Sequence, residues 1–301
     1  MPEFHDAQQQ GEAAQPFKVL QPAAQTVPFV FNAPHSGRDY PPDFLAAIRL
    51  DRHTVRKSED FLVDRIFEPV IELGAPLLVA NFPRAYLDVN REPYELDPRM
   101  FDGPLPAFAN TRSLRVAGGL GTIARIVSET EEIYAHRLDV GEVMSRIERL
   151  YKPYHGALRH LLARTHVAFG HAVLVDCHSM PSTRDGALHR ARPDFILGDR
   201  YGTSCAQQIV WAAYEFLNEL GYDVEINKPY AGGFITEHYG RPDNGIHALQ
   251  IEINRGLYMN ESTLETTGNY ETLVEDITAF VTRFLTIPSA GLSGSQPLAA
   301  E

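Results

Sequence analysis

The chain has 301 residues, 44% of them apolar, enough to bury the core of one large domain or two small ones. A formal charge of −12 and a pI near 5.5 exclude the broad basic face that a nucleic-acid partner requires. The only two cysteines, Cys177 and Cys205, cannot build a disulfide framework or a thiolate zinc cluster, and no apolar run reaches the roughly 18 residues of a membrane span. The first residues lack the basic-then-apolar pattern of a signal peptide, so the expected location is the cytoplasm.

Residues 1–16 are rich in Gln, Ala and Glu without periodicity and read as a flexible tail. A first strand is expected over 27–31. Residues 59–73 carry Leu62, Ile66, Val70 and Leu73 at helical spacing, and Gly74 follows as a natural cap. Residues 76–80 form a second strand. Residues 92–122 hold Pro, Gly and Asn with little periodicity, the mark of a functional loop or lid. A long helix is expected over 142–166, with Val143, Ile147, Leu150, Tyr154, Leu158 and Leu161 on one side and a kink at Pro153. There follow strands at 171–177 and 194–198, a helix at 204–220 ending at Gly221, strands at 223–227 and 247–253, and a helix at 270–285. Residues 288–301 read as a second tail, leaving 17–287 as a single domain. Strands alternating with helices predict an α/β fold with a mainly parallel sheet covered on both faces.

The apolar run 171–177 stops at His178, and the first strand stops at Asn32-Ala33-Pro34-His35-Ser36-Gly37. In α/β sheets ligands bind beyond the carboxyl ends of the strands. Alone, His35 reads as a structural loop histidine. Together, His35 and His178 read as two ligands sharing one cleft, because neutral imidazole suits zinc. A catalytic zinc site takes three protein ligands and leaves a position open. Asp60 and Glu59 are the candidates for the third, although a helix dipole alone favours acids at that place.

Glu252 sits inside the apolar run 247–253, where desolvation raises a carboxyl pKa toward the range of a general base. An ion pair with Arg255, three residues on, is the plainer reading. Arg84, Asp88, Asn90 and Arg91 crowd into one short span, where arginine forks match carboxylates or simply pair with Asp88. Arg190 and Arg192 add positive charge later in the chain. Gly232-Gly233 lets backbone approach a ligand but lacks the ending of a phosphate loop. No GxSxG elbow is present, which disfavours a serine hydrolase of that type. His155, mid-helix, is either structural or part of the site wall.

Five motifs in order carry a resemblance. They are 32–37, Phe82-Pro83-Arg84-Ala85-Tyr86-Leu87-Asp88-Val89-Asn90-Arg91, Asp176-Cys177-His178-Ser179, Gly232-Gly233 and Gln250-Ile251-Glu252-Ile253-Asn254-Arg255. Over roughly residues 25–285 the chain resembles the N-formylglutamate amidohydrolase family, which is related to zinc carboxypeptidases and aspartoacylase. The resemblance implies a phosphorylase/hydrolase-like three-layer α/β/α sandwich with a mixed, mainly parallel central sheet. It also implies one divalent metal ion, with zinc expected. On this resemblance His35 and His178 match the two histidine ligands, with Asp60 preferred to Glu59 as the third. Glu252 matches the general base and Arg84 the arginine that polarises the scissile carbonyl. Asn90 and Arg91 hold the substrate carboxylate, helped by Arg190, Arg255 and the turn at Gly233. One position departs: carboxypeptidase-like sites place a glutamate three residues after the first histidine, where this chain has Arg38. The implied reaction is metal-dependent hydrolysis of N-formyl-L-glutamate, or a similar N-acyl amino acid, with a small-molecule carboxylate as the expected substrate and neither nucleic acid nor membrane as a partner. Hydrolysis of another N-acyl amino acid or small peptide, and carboxylate binding without catalysis, are the alternatives.

Overall fold

A computed structural model describes residues 15–127, 131–182 and 192–294. At its centre is a seven-stranded sheet. Its strands are β1 (Phe17–Leu20), β2 (Phe29–Ala33), β3 (Leu77–Ala80), β4 (Ala172–Met180), β5 (Phe195–Gly198), β6 (Val224–Ile226) and β7 (Ile246–Asn254). In space they run β1-β3-β2-β4-β7-β5-β6. The pairs β3/β2, β2/β4, β4/β7 and β5/β6 are parallel, whereas β1/β3 and β5/β7 are antiparallel. The sheet is therefore mixed and mainly parallel, as expected.

Helices cover both faces. On one lie α2 (Gln207–Glu219) and α4 (Tyr270–Phe284), and on the other α1 (Lys152–Phe169) and α3 (Phe234–Tyr239). Strand residues alternate between the two layers. Val173, Val175, Cys177, Leu249, Ile251 and Ile253 pack with Ile209, Ile277 and Phe284 of α2 and α4. Ala172, Leu174, Ala248 and Val30 pack with Tyr154 and Leu158 of α1 and Ile235 of α3. Burial on both faces is why these strands read as unbroken apolar runs.

That second face turns polar at the carboxyl ends of the strands. Asn32, Asp176, His178, Gln250 and Glu252 continue the parity of Val30, Leu174 and Ala248, and all five are buried.

Several local expectations differ. The stretch 59–73 is not one helix: Leu62 takes a left-handed conformation (φ 55°), a helical turn spans Val63–Ile66, and a 3-10 turn carrying Pro69 follows at Glu68–Ile71. The apolar spacing was real, since Ile66 and Val70 are buried, but proline and the left-handed residue divide the backbone. At Pro153 the chain forms a π-helical turn, Ile147–Tyr151, between the helix Val140–Arg146 and α1, and the Lys152 amide donates to the Ile147 carbonyl. This wider turn accommodates the proline's missing donor. Strand β1 and the short helices Pro42–Ala47 and Arg52–Arg56 lacked a readable period. The carboxyl-terminal tail is anchored further than its composition suggests: Leu292 is buried, and its carbonyl accepts from His247 Nε2 at 2.9 Å.

Phe31 is fully buried, with its ring 6.0 Å from that of Phe67. Phe31→Ala is expected to cost about 3–5 kcal/mol, read as a lower urea midpoint with an unchanged slope.

Candidate active site

Register brings the chemistry together. On the parallel strands β4 and β7, His178 stands opposite Glu252 and Asp176 opposite Gln250, and Asn32 of β2 faces Asp176 from the other side. His35 lies two residues past β2. Its carbonyl accepts from the Asp60 amide at 3.0 Å, which ties the two ligand-bearing loops to each other. Gly37 lets the His35 loop also pass close to the segment after β3, because a Cβ there would fall 2.1 Å from the Phe82 carbonyl oxygen.

Both histidines turn Nδ1 toward one oxygen, Asp60 Oδ2, at 3.3 Å from His35 and 2.9 Å from His178. Their outer nitrogens also meet carboxylates: His35 Nε2 lies 2.7 Å from Asp88 Oδ1, and His178 Nε2 2.9 Å from Asp176 Oδ2. A histidine whose far nitrogen is held by a carboxylate is oriented as a metal ligand requires. His35 Nδ1 is buried and has no hydrogen-bond partner. The donor atoms of His35, Asp60 and His178 all lie within 4.8 Å of one another. Two imidazoles and a carboxylate suit zinc and other divalent transition ions, so the residues present fit such an ion. Glu59 points elsewhere, accepting from Tyr40 Oη at 2.8 Å and Arg56 Nε at 3.0 Å.

Burial would raise the Asp60 carboxyl, but the hydrogen bond with His178 and the closeness of both imidazoles outweigh it and hold Asp60 well below the usual carboxylate range. For Asp88 burial is likewise outweighed, by His35, Arg91 and Arg84. Burial would lower His178, but Asp176 and Asp60 raise it well above an ordinary imidazole. The cluster thus draws positive charge onto His178.

Glu252 differs from its neighbours. Burial comes first, and with the like charge of Asp60 it outweighs His178, Arg84 and Arg255 to push the carboxyl up to about 7. Gln250 Nε2 donates to its Oε1 at 2.9 Å. Arg84 bridges the two acid groups, 2.9 Å from Asp88 Oδ2 and 3.8 Å from Asp60 Oδ1. The remaining residues singled out in the sequence are committed to the walls. Asn90 donates its backbone amide to Asp88 Oδ1 at 2.8 Å, and its side-chain oxygen accepts from the Ile235 amide at 2.8 Å. Gly233 presses on that amide group, since a Cβ there would lie 2.4 Å from Asn90 Nδ2. Arg91 donates to the Leu120 and Asn90 carbonyls at 2.8 and 2.9 Å. Arg255 donates to Asp60 Oδ1, Ser179 Oγ and the Lys57 carbonyl. Rather than pairing with Glu252, it supports Asp60. Arg190 lies outside the described residues.

Two contacts escaped the sequence reading, that of Asp88 with His35 and that of Asn32 with Asp176. Asp88 holds His35 as well as Arg84. Asn32 donates to Asp176 Oδ1 at 2.7 Å and in turn accepts from Tyr154 Oη, so β2 and α1 fix the carboxylate behind His178. The available signal was a polar residue, Asn32 or Asp176, inside an apolar strand. His155 is structural: it lies between the rings of Tyr151 and Tyr239 and bonds the Val89 carbonyl at 2.9 Å.

His35, His178, Glu252 and Arg84 all border one cleft of about 650 Å³. Part of the far wall comes from Arg115, Leu120 and Gly121, so the irregular segment 92–122 does shape the site.

The chain's relatives place it among the hydrolases that act on an amide bond. The family model for N-formylglutamate amidohydrolase matches residues 27–259, and the chain belongs to that family. An N-formylglutamate deformylase of Pseudomonas putida is 31% identical over 252 residues, covering 81% of this chain and 86% of its own. One of Pseudomonas aeruginosa is 31% identical over 247 residues, covering 78% and 83%. The crystal structure of N-formylglutamate amidohydrolase from Ralstonia eutropha superposes with a TM-score of 0.85 at 37% identity, over 90% of this chain and 97% of the other. A gene product of Agrobacterium tumefaciens shares the fold alone, with a TM-score of 0.66 at 19% identity over 90% and 93%.

A buried carboxyl raised from 4.5 to about 7 binds its proton more tightly folded than unfolded, so stability falls as pH rises between those values. In metal-free protein, Glu252→Gln is expected to remove on the order of 3 kcal/mol of that fall. Denaturant melts at pH 5.5 and pH 8 measure it: the variant's gain over wild type should appear mainly at pH 8.

Proposed function

We propose that this protein is a metal-dependent deformylase of N-formyl-L-glutamate, releasing formate and glutamate in the cytoplasm. The observation that carries the reading is the pairing of His178 with Glu252. It sets a carboxyl that titrates near neutrality beside a His–Asp–His group in one cleft. Family membership and the named relatives support the substrate.

His35, Asp60 and His178 would hold the ion, with zinc expected from the donor set. Such an ion supplies Lewis acidity and lowers the pKa of water at the site to about 7. Glu252 takes the proton of the attacking water and passes it to the leaving nitrogen, and a carboxyl near pH 7 is suited to both transfers. Arg84 faces the oxygen that gains charge, a role worth on the order of 3 kcal/mol. Arg91 and Asn90, on the same cleft wall, face the substrate's α-carboxylate. Asp88 and Asp176 keep the two imidazoles oriented.

Metal analysis of purified protein is expected to give about one divalent ion per chain, and Asp60→Ala is expected to lose it. Full occupancy in Asp60→Ala would transfer the third ligand to Glu59. Formate release from N-formyl-L-glutamate should fall by on the order of 10²- to 10⁴-fold in Glu252→Gln with metal content unchanged. Retained turnover in that variant would remove Glu252 from the mechanism. A panel of N-acetyl-L-glutamate and short peptides reports whether the formyl group is the one preferred.

A further inference from the structure

Among the described residues six arginines border the cleft: Arg84, Arg91, Arg115, Arg192, Arg200 and Arg255. Five have a carboxylate oxygen within 4.0 Å, at Asp88 for Arg84 and Arg91, Glu95 for Arg115, Glu237 for Arg200 and Asp60 for Arg255. Among the described residues Arg192 has none. Its guanidinium is nevertheless held. Nη1 donates to Tyr230 Oη at 2.6 Å, and the charge lies 5.4 Å from the centre of the Tyr230 ring. Nε is buried and unpartnered, and no partner of Nη2 occurs among the described residues. One hydrogen-bonding edge of the fork is thus anchored and the other, Nε with Nη2, is left for a ligand. An uncompensated buried donor is costly until something accepts from it, and that edge matches a carboxylate bidentately.

Its place relative to the chemistry is set by β5. Ile196 stands opposite Glu252, and the pairing continues to the Asn254 amide and the Asp194 carbonyl at 2.9 Å. Arg192 enters this strand four residues before Ile196, roughly 13 Å along an extended chain. Its guanidinium meets Tyr230, two residues before the Gly232-Gly233 turn whose Gly233 amide reaches Gln250 at 2.7 Å, so Arg192 borders the cleft from a segment separate from those that carry His35, His178 and Glu252.

We propose that Arg192, positioned by Tyr230, is the specificity determinant that binds the side-chain carboxylate of the substrate and so selects acidic N-acyl amino acids. This rests on the deformylase reading above. The metal-loaded wild type, Arg192→Met and Arg192→Lys are compared on N-formyl-L-glutamate and N-formyl-L-glutamine, which share the α-carboxylate and differ only in side-chain charge. Arg192→Met is expected to raise KM for N-formyl-L-glutamate about 10- to 100-fold with kcat little changed, to leave N-formyl-L-glutamine within about twofold, and to be partly rescued by Arg192→Lys. Equal losses on both substrates, or no loss on either, would overturn the proposal. In the second case Lys57, the exposed cation on the same rim, becomes the reader. Calorimetric binding of glutarate against butyrate separates the two readings. Arg192-dependent preference for glutarate in a wild type that releases no formate would keep the carboxylate subsite and reject the deformylase. Turnover of N-formyl-L-glutamate with no effect of Arg192→Met on either measurement would do the reverse.

Discussion

The site depends on how one buried carboxylate is shared. Asp60 receives Nδ1 of both histidines on one oxygen and Arg255 and Arg84 on the other. A buried charge survives only with partners on all sides, and here the partners come from a loop after β2, the strand β4, the loop after β3 and the end of β7. Fixing Asp60 therefore fixes the relative positions of four segments far apart in sequence. The same arrangement explains why Arg255 and Arg84 serve as supports as well as candidates for catalysis: removing either would leave Asp60 partly uncompensated.

Glu252 shows the opposite use of burial. Its neighbour Asp60 is held ionised by two imidazoles, whereas Glu252 is buried with an amide donor from Gln250, so its proton is weakly committed near neutral pH. Two carboxyl groups within one cleft are thus driven to different protonation states by their partners, one to hold charge and one to exchange protons. The fold bears the cost of burying Glu252 at the edge of the cleft.

Much of this was legible because the strands are buried on both faces. Runs such as 171–177 and 247–253 stand out in the sequence, and histidine or glutamate at their ends stands out against them. Metal-ligating residue types and their place at strand ends follow from such runs. What was hidden is what depends on contacts between segments. Nothing local distinguishes Asp60 from Glu59; only Tyr40 and Arg56, which occupy Glu59, decide it. Asp88 looked like the partner of an arginine and is also the partner of a histidine 53 residues away. The helical period over 59–73 recorded which residues face the core but not that Leu62 and Pro69 would break the backbone. Asn90, Arg91 and Arg255 show the converse: their residue types suggested ligand contacts, while most of their donors serve the protein's own walls.

The antiparallel run of β5 against β7 has its own consequence. In a purely parallel sheet, the segments at the reactive end are those that leave strands. Reversing β5 delivers to that end a segment that enters a strand, and this segment carries Arg192. Arg192 and the proposed reactive groups His178 and Glu252 therefore belong to separately tethered pieces of chain. Changes in the entering segment can retune which side chain is accepted while β4 and β7 keep the reactive groups in register. The reversal of β5 thus gives this scaffold a way to diversify its substrates without rebuilding its chemistry.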